Sequence, residues 1–165
     1  MLLENLLGNY KKMDHKIKHY EESIIINTSP EKLFSYVDDH TRLTAHMNDS
    51  SWMMGGGHMD TQIDSEHGQK IGSHIRMNGK ILGMNFFLDE VVTKYEPPHL
   101  KIWQTIGDIN LLIINHYQMG FEIKNENGTS NFTVFINYKL PSFISTRWLG
   151  YLFGRFYAKW CVRQM

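Results

Sequence analysis

Hydrophobic and polar positions follow a helical period near both ends of the chain and a period of two through its middle. Leu2, Leu3, Leu6, Leu7 and Tyr10 recur at helical spacing, which predicts an amphipathic arm over residues 1–14. Residues 16–27 read as a strand that ends in Ile24, Ile25 and Ile26. Ser29, Pro30 and Glu31 then open a helix. Serine can cap it, proline suits its first position, and glutamate favours the positive end of its dipole. Leu33, Phe34 and Val37 form its buried stripe, and residues 38–47 predict a second short helix or turn with Leu43 and Met47 inward.

From Trp52 onward the alternation takes over. Met59, Thr61 and Ile63 share one face, and a turn is expected over residues 65–69. A strand over 71–77 leads to Asn78-Gly79, read as a hairpin turn. Met84, Phe86 and Leu88 then share a face, with Glu90 on the same parity at that strand's end. Pro97 and Pro98 interrupt the run, because proline cannot donate within a central strand. Residues 101–105 and 113–123 predict two more strands. In the second, Ile113, Asn115, Tyr117, Met119 and Phe121 face one way, and Ile114, His116, Gln118 and Glu122 the other. Asn127-Gly128 marks another hairpin, after which Phe132, Val134, Ile136, Tyr138 and Leu140 alternate until Pro141. Residues 142–165 return to helical spacing. Leu149, Leu152, Phe153, Phe156 and Trp160 fall on one side, with Arg147, Tyr151, Arg155, Lys159 and Arg163 spaced by four on another.

One strand, two short helices, a run of six or seven antiparallel strands and a long last helix predict an α+β fold, with helices on one face of a twisted sheet. The 165 residues suit one domain with its own core. Acids and bases balance at 17 each, so charge gives no argument for nucleic acid. A hydrophobic share of 42 %, an aromatic share of 13 % and ten methionines suggest adaptable apolar surface, in a core or a pocket wall. Cys161 is alone, so no internal disulfide can form. With no signal-peptide pattern at the start, a cytoplasmic setting is expected.

The stretch Trp52-Met53-Met54-Gly55-Gly56-Gly57-His58 raises the question of a phosphate cradle. A phosphate loop needs Gly-Lys-Ser/Thr, and His58-Met59-Asp60 follows instead. Gly55, Gly56 and Gly57 fit two other roles, a plain bend into a strand or a movable cavity lip. Nine histidines invite a metal reading through His15 and His19 or through His40, His46 and His58. No cysteine cluster or His-Glu-x-x-His supports it, so scattered surface histidines are expected and no metal or other cofactor is assigned. No paired-carboxylate, Ser-His-Asp or Cys-His arrangement is readable, so no catalytic residue is named.

The run ESIIINTSPEKLFSYVDDHTRLTAHM, with DEVVTKYEPPHLKIW and the long aromatic last helix, resembles the START-like (SRPBCC) superfamily, which includes polyketide cyclase/dehydrase and lipid-transport proteins. The resemblance spans residues 16–165; the arm over 1–14 has no counterpart in it. It implies a helix-grip fold, a sheet wrapped around the C-terminal helix, as one domain over 15–165. It also implies an apolar cavity between them that holds a lipid, isoprenoid or quinone-like molecule. On strand parity the cavity is expected to be lined by Trp52, Met54, Met77, Met84, Phe86, Trp103, Tyr117, Tyr138, Trp148 and Leu152, with the triglycine as its lip. A carrier is the leading reading. A cyclase- or dehydratase-type enzyme is a rival and predicts a buried polar group of shifted pKa. A regulatory or interaction module without ligand is the other. The last helix carries bases and no acid, so Arg147, Arg155, Lys159 and Arg163 are candidates for contact with an anionic membrane surface, or else a solvated stripe beside a packed face.

Overall fold

The computed structural model describes residues 17–43, 59–81, 84–107, 113–141 and 144–165. The arm over 1–14, the triglycine, Met47, Trp52 and Met54 lie outside them. Element order is β1 (Lys18–Ile26), α1 (Pro30–Val37), α2 (His40–Leu43), β2 (Met59–Ile63), β3 (His74–Ile81), β4 (Met84–Glu96), β5 (Leu100–Ile106), β6 (Tyr117–Glu126), β7 (Thr129–Tyr138) and α3 (Ile144–Gln164). The strands form one seven-stranded sheet in the order β1-β7-β6-β5-β4-β3-β2, and every pairing is antiparallel. Strands β2 to β7 run as a meander, and β1 joins the far side of β7.

Local chemistry explains the joints. Ser29 caps α1 by accepting from the Lys32 amide at 3.4 Å, with Pro30 in the first turn. Leu33, Phe34 and Val37 are buried as expected. Phe34 meets Phe121 and Tyr95 edge-on, which seats α1 on the inner face of the sheet. Asn127 and Gly128 both have positive φ, 52° and 87°, the two-residue hairpin that Asn-Gly favours.

Asn78-Gly79 does not turn. Gly79 pairs with Met59 on one side and Phe86 on the other, so β3 runs straight through it. A central strand satisfies both backbone edges of the dipeptide, and this outweighs its local turn preference. The strand expected from residue 113 begins at Tyr117 instead. Before that point the Asn115 amide donates to the Lys139 carbonyl, and Ile114, expected outward, is 1 % exposed.

Strand β4 bends where its pairing with β5 shifts register between Val92 and Lys94, a bulge at Thr93. Upstream of it Leu88, Glu90 and Val92 are buried, and downstream the inward side chain is Tyr95.

The last helix lies on β1 and β7. Its sheet-facing side is not the large apolar one. Gly150, Gly154, Ala158 and Val162, spaced by four, are buried, whereas Leu152, Phe153 and Phe156 are exposed. A Cβ on Gly150 would stand 2.8 Å from Pro141 Cδ and 3.0 Å from the Ile113 carbonyl, so only glycine admits this approach. Leu152, Phe153 and Phe156 therefore do not form the sheet-facing side. Close backbone contact, and not side-chain bulk, sets the phase of α3.

Candidate functional site

Two buried polar clusters stand on the inner face. The first lies towards α3. Glu90 of β4 is 1 % exposed, and the Tyr117 hydroxyl of β6 donates to its Oε1 at 2.6 Å. Burial pushes the Glu90 carboxyl up to about 7, while hydrogen bonding from Tyr117 and Trp103 pulls the other way. Tyr157 and Cys161 stand one turn apart on α3 beside this pair, and the Glu90 charge contributes to raising both. Burial lifts the Cys161 thiol to about 12, so it is not a ready nucleophile. Tyr117 is raised well above the usual phenol value, first by burial and then by the Glu90 charge. Around this group the wall is apolar. Met77, Leu88 and Met119 are all buried.

The second cluster lies under α1 and α2. Lys101 of β5 is 0 % exposed, and its Nζ donates to Asp38 Oδ1 at 2.5 Å and to the Asp38 carbonyl at 3.0 Å. Tyr95 donates to the other Asp38 oxygen at 2.8 Å. His40 Nδ1 is 3.2 Å from Lys101 Nζ, and its ring meets Trp103 edge-on at 4.9 Å. Burial, then the adjacent Lys101 charge, pushes His40 down to about 3, so it is neutral and can accept from the ammonium. Burial lowers the Lys101 pKa while the Asp38 carboxylate opposes that. An open depression of about 390 Å³ beside this cluster is lined by Phe34, Asp38, Tyr95 and Pro98, among others. Its interior polar groups, Asp38 and Tyr95, are already bonded to each other.

Of the expected cavity residues, Met77, Trp103 and Tyr138 are buried on the inner face, and Tyr117 reaches it through Glu90. The Tyr138 ring packs where Gly154 leaves room for it. Trp148 and Leu152 are 56 % and 66 % exposed. The side chains of Met84, Phe86 and Arg147 lie outside the described part, as do Trp52, Met54, Gly55, Gly56 and Gly57. Arg155 is exposed and Lys159 half-buried. Arg163 is held by both Glu22 oxygens, at 2.9 and 3.0 Å. His40, expected at the surface, is 2 % exposed. Among the described residues no group of three or more His, Cys, Asp or Glu side chains could hold a metal ion.

Sequence reasoning placed Glu90 at a strand end because the alternation of Met84, Phe86 and Leu88 fades there. The strand runs on to Glu96 and makes Glu90 central. Lys101 shares parity with Trp103 and Thr105, and that alternation was the available signal for a buried lysine.

No family model matches the chain, and no curated protein matches it in sequence. Solved structures do match in shape. The Zhui aromatase/cyclase from Streptomyces sp. R1128 superposes with a TM-score of 0.59 at 7 % identity, over 90 % of this chain and 91 % of that one. Ara h 8.0201 gives 0.57 at 10 % identity, over 90 % and 95 %. A norcoclaurine synthase point mutant from Thalictrum flavum gives 0.52 at 14 % identity, over 77 % and 78 %. A seven-stranded antiparallel sheet, two short helices after its first strand and a long helix laid against it, with these superpositions, give the chain a helix-grip fold, the fold that the sequence resemblance implied.

Proposed function

We propose that the protein binds a small, largely apolar molecule between the inner face of the sheet and α3. The observation that carries this reading is the Glu90–Tyr117 pair. A carboxyl at 1 % exposure, with no ion-pair partner among the described residues, sits in a wall of methionine, leucine and aromatic rings. Such a group is costly to bury and does nothing for packing. Near neutral pH it offers a donor in its acid form and an acceptor in its charged form, suited to the single polar end of a lipid, isoprenoid or quinone-like molecule. The rest of the affinity would come from burial, at about 0.8 kcal/mol per methylene.

A second reading, an acid–base enzyme acting on the same class of molecule, draws on the same residue. A carboxyl of pKa about 7 is poised to give and take a proton at neutral pH. Proteins of this shape include, by name, an aromatase/cyclase and a norcoclaurine synthase, and that supports retaining the reading. The test begins with native mass spectrometry of freshly purified protein, then organic extraction of whatever is released. A stoichiometric apolar adduct supports binding. If Glu90→Gln still binds but leaves unchanged a molecule that the wild type converts, the enzyme reading takes over. Bare protein that also fails to take up a fluorescent fatty acid sinks both and leaves an interaction module.

A further inference from the structure

Five of the eleven large apolar side chains exposed among the described residues lie on α3. Trp148, Tyr151, Leu152, Phe153 and Phe156 are 56 %, 59 %, 66 %, 47 % and 61 % exposed. The helix sets Gly150, Gly154 and Ala158 against the sheet and leaves Leu152, Phe153 and Phe156 to solvent, the reverse of an ordinary amphipathic helix at these positions. A contiguous apolar patch of this kind marks an interaction site. Charge narrows the choice of partner. The helix has no acidic residue. Arg155 is exposed and Lys159 half-exposed among the aromatic side chains, and Lys18 of β1 lies 5.1 Å from the Tyr151 ring. Glu22 is the acid beside this flank, and it is bonded to Arg163 and Tyr20.

We propose that this face of α3 docks on an anionic lipid surface, with the helix lying in the interfacial plane. Aromatic and leucine side chains would enter the headgroup boundary while Arg155 and Lys159 meet lipid phosphates. A second copy of the chain is the weaker occupant. A two-fold dimer through this face sets like charges against each other with no acid on the helix to answer them. The helix does not cross the bilayer, because no helix among the described residues is long and apolar enough to span one. The inference is independent of the ligand reading and stands with or without an occupied interior.

The test is co-sedimentation of the full chain with extruded vesicles, either phosphatidylcholine alone or phosphatidylcholine with phosphatidylglycerol. Binding to the mixed vesicles should exceed binding to phosphatidylcholine by roughly tenfold or more and weaken as salt is raised. Leu152→Glu with Phe156→Glu should abolish binding. Arg155→Glu with Lys159→Glu should remove the preference for the anionic lipid. These side chains point to solvent, so circular dichroism and the melting temperature should not change. Phe156→Ser, a gentler change, should weaken binding in a protein that certainly folds if the charged pair does not. No vesicle binding, or equal binding to both compositions, overturns the proposal. So does a concentration-dependent dimer that the same substitutions dissociate while vesicles are ignored.

Discussion

Strand β4 presents a buried polar group on either side of its bulge, and the two are built on opposite plans. Tyr95 belongs to a satisfied set in which Asp38 and Lys101 neutralise each other and neutral His40 takes the remaining ammonium contact. Among the described residues Glu90 bonds to a neutral Tyr117 and lies near Trp103, Tyr157 and Cys161, and the one charge acting on it, that of Asp89, repels rather than neutralises it. A matched ion pair fixes geometry, and here it ties the end of α1 to β5. An unmatched acid fixes little and leaves its charge open to pH and to whatever enters beside it. Of the two clusters, the Glu90 group is the one with the chemistry of a site.

Breaking the Asp38–Lys101 cluster should have the largest effect. Lys101→Met leaves Asp38 buried without its cation and should cost about 3–5 kcal/mol in urea unfolding. A loss below 1 kcal/mol would mean that the pair is not the pin described above. The next effect depends on pH. The Glu90 carboxyl is raised from its ordinary 4.5 to about 7. Its contribution to stability is therefore full below pH 4.5 and lost as pH rises through 7. Glu90→Gln should flatten that loss, which amounts to about 3 kcal/mol. His40 acts in the opposite sense. Its folded pKa is depressed from 6.5 to about 3, so its contribution is present above pH 6.5 and lost as pH falls towards 3. His40→Gln should flatten the acid limb, and unfolding curves from pH 3 to 9 would separate the two limbs.

Smaller effects test the packing of α3. Gly150→Val forces a side chain against Pro141 and the Ile113 carbonyl and should cost about 1–3 kcal/mol. Phe156→Ser on the opposite side of the helix should change stability by no more than about 0.5 kcal/mol. If Phe156→Ser proved the more damaging, the phase of the helix given above would be wrong.

Much of the fold is legible in the sequence where a periodic signal and a capping signal agree. The alternation through Phe132, Val134, Ile136 and Tyr138 gives β7, and Ser29-Pro30-Glu31 gives α1. Legibility fails where the deciding force is not hydrophobicity. Glycines carry no hydrophobic signal, so Gly150 and Gly154 could not outvote Leu152, Phe153 and Phe156 in setting the face of α3, yet close approach decided it. Asn78-Gly79 reads locally as a turn, and its pairing on both sides is a long-range fact. The candidate site was half legible. Met77, Trp103 and Tyr138 follow from parity, but the weight of Glu90 depends on a strand longer than its apolar pattern. The ion pair of Asp38 and Lys101 joins residues far apart in the chain.

Glu90 and Tyr95 are five positions apart, and in an unbroken strand an odd interval sends two side chains to opposite faces of a sheet. The register shift near Thr93 absorbs one residue and lets both point inward. Thr93 thus acts as a reading frame does for two words in one message. Iron the bulge out with Thr93 retained in the ladder, and the strand can keep Glu90 facing α3 or Tyr95 facing Asp38, but not both. Deleting Thr93 leaves an interval of four, which an unbroken strand accommodates, so that deletion should keep both side chains inward and both clusters assembled.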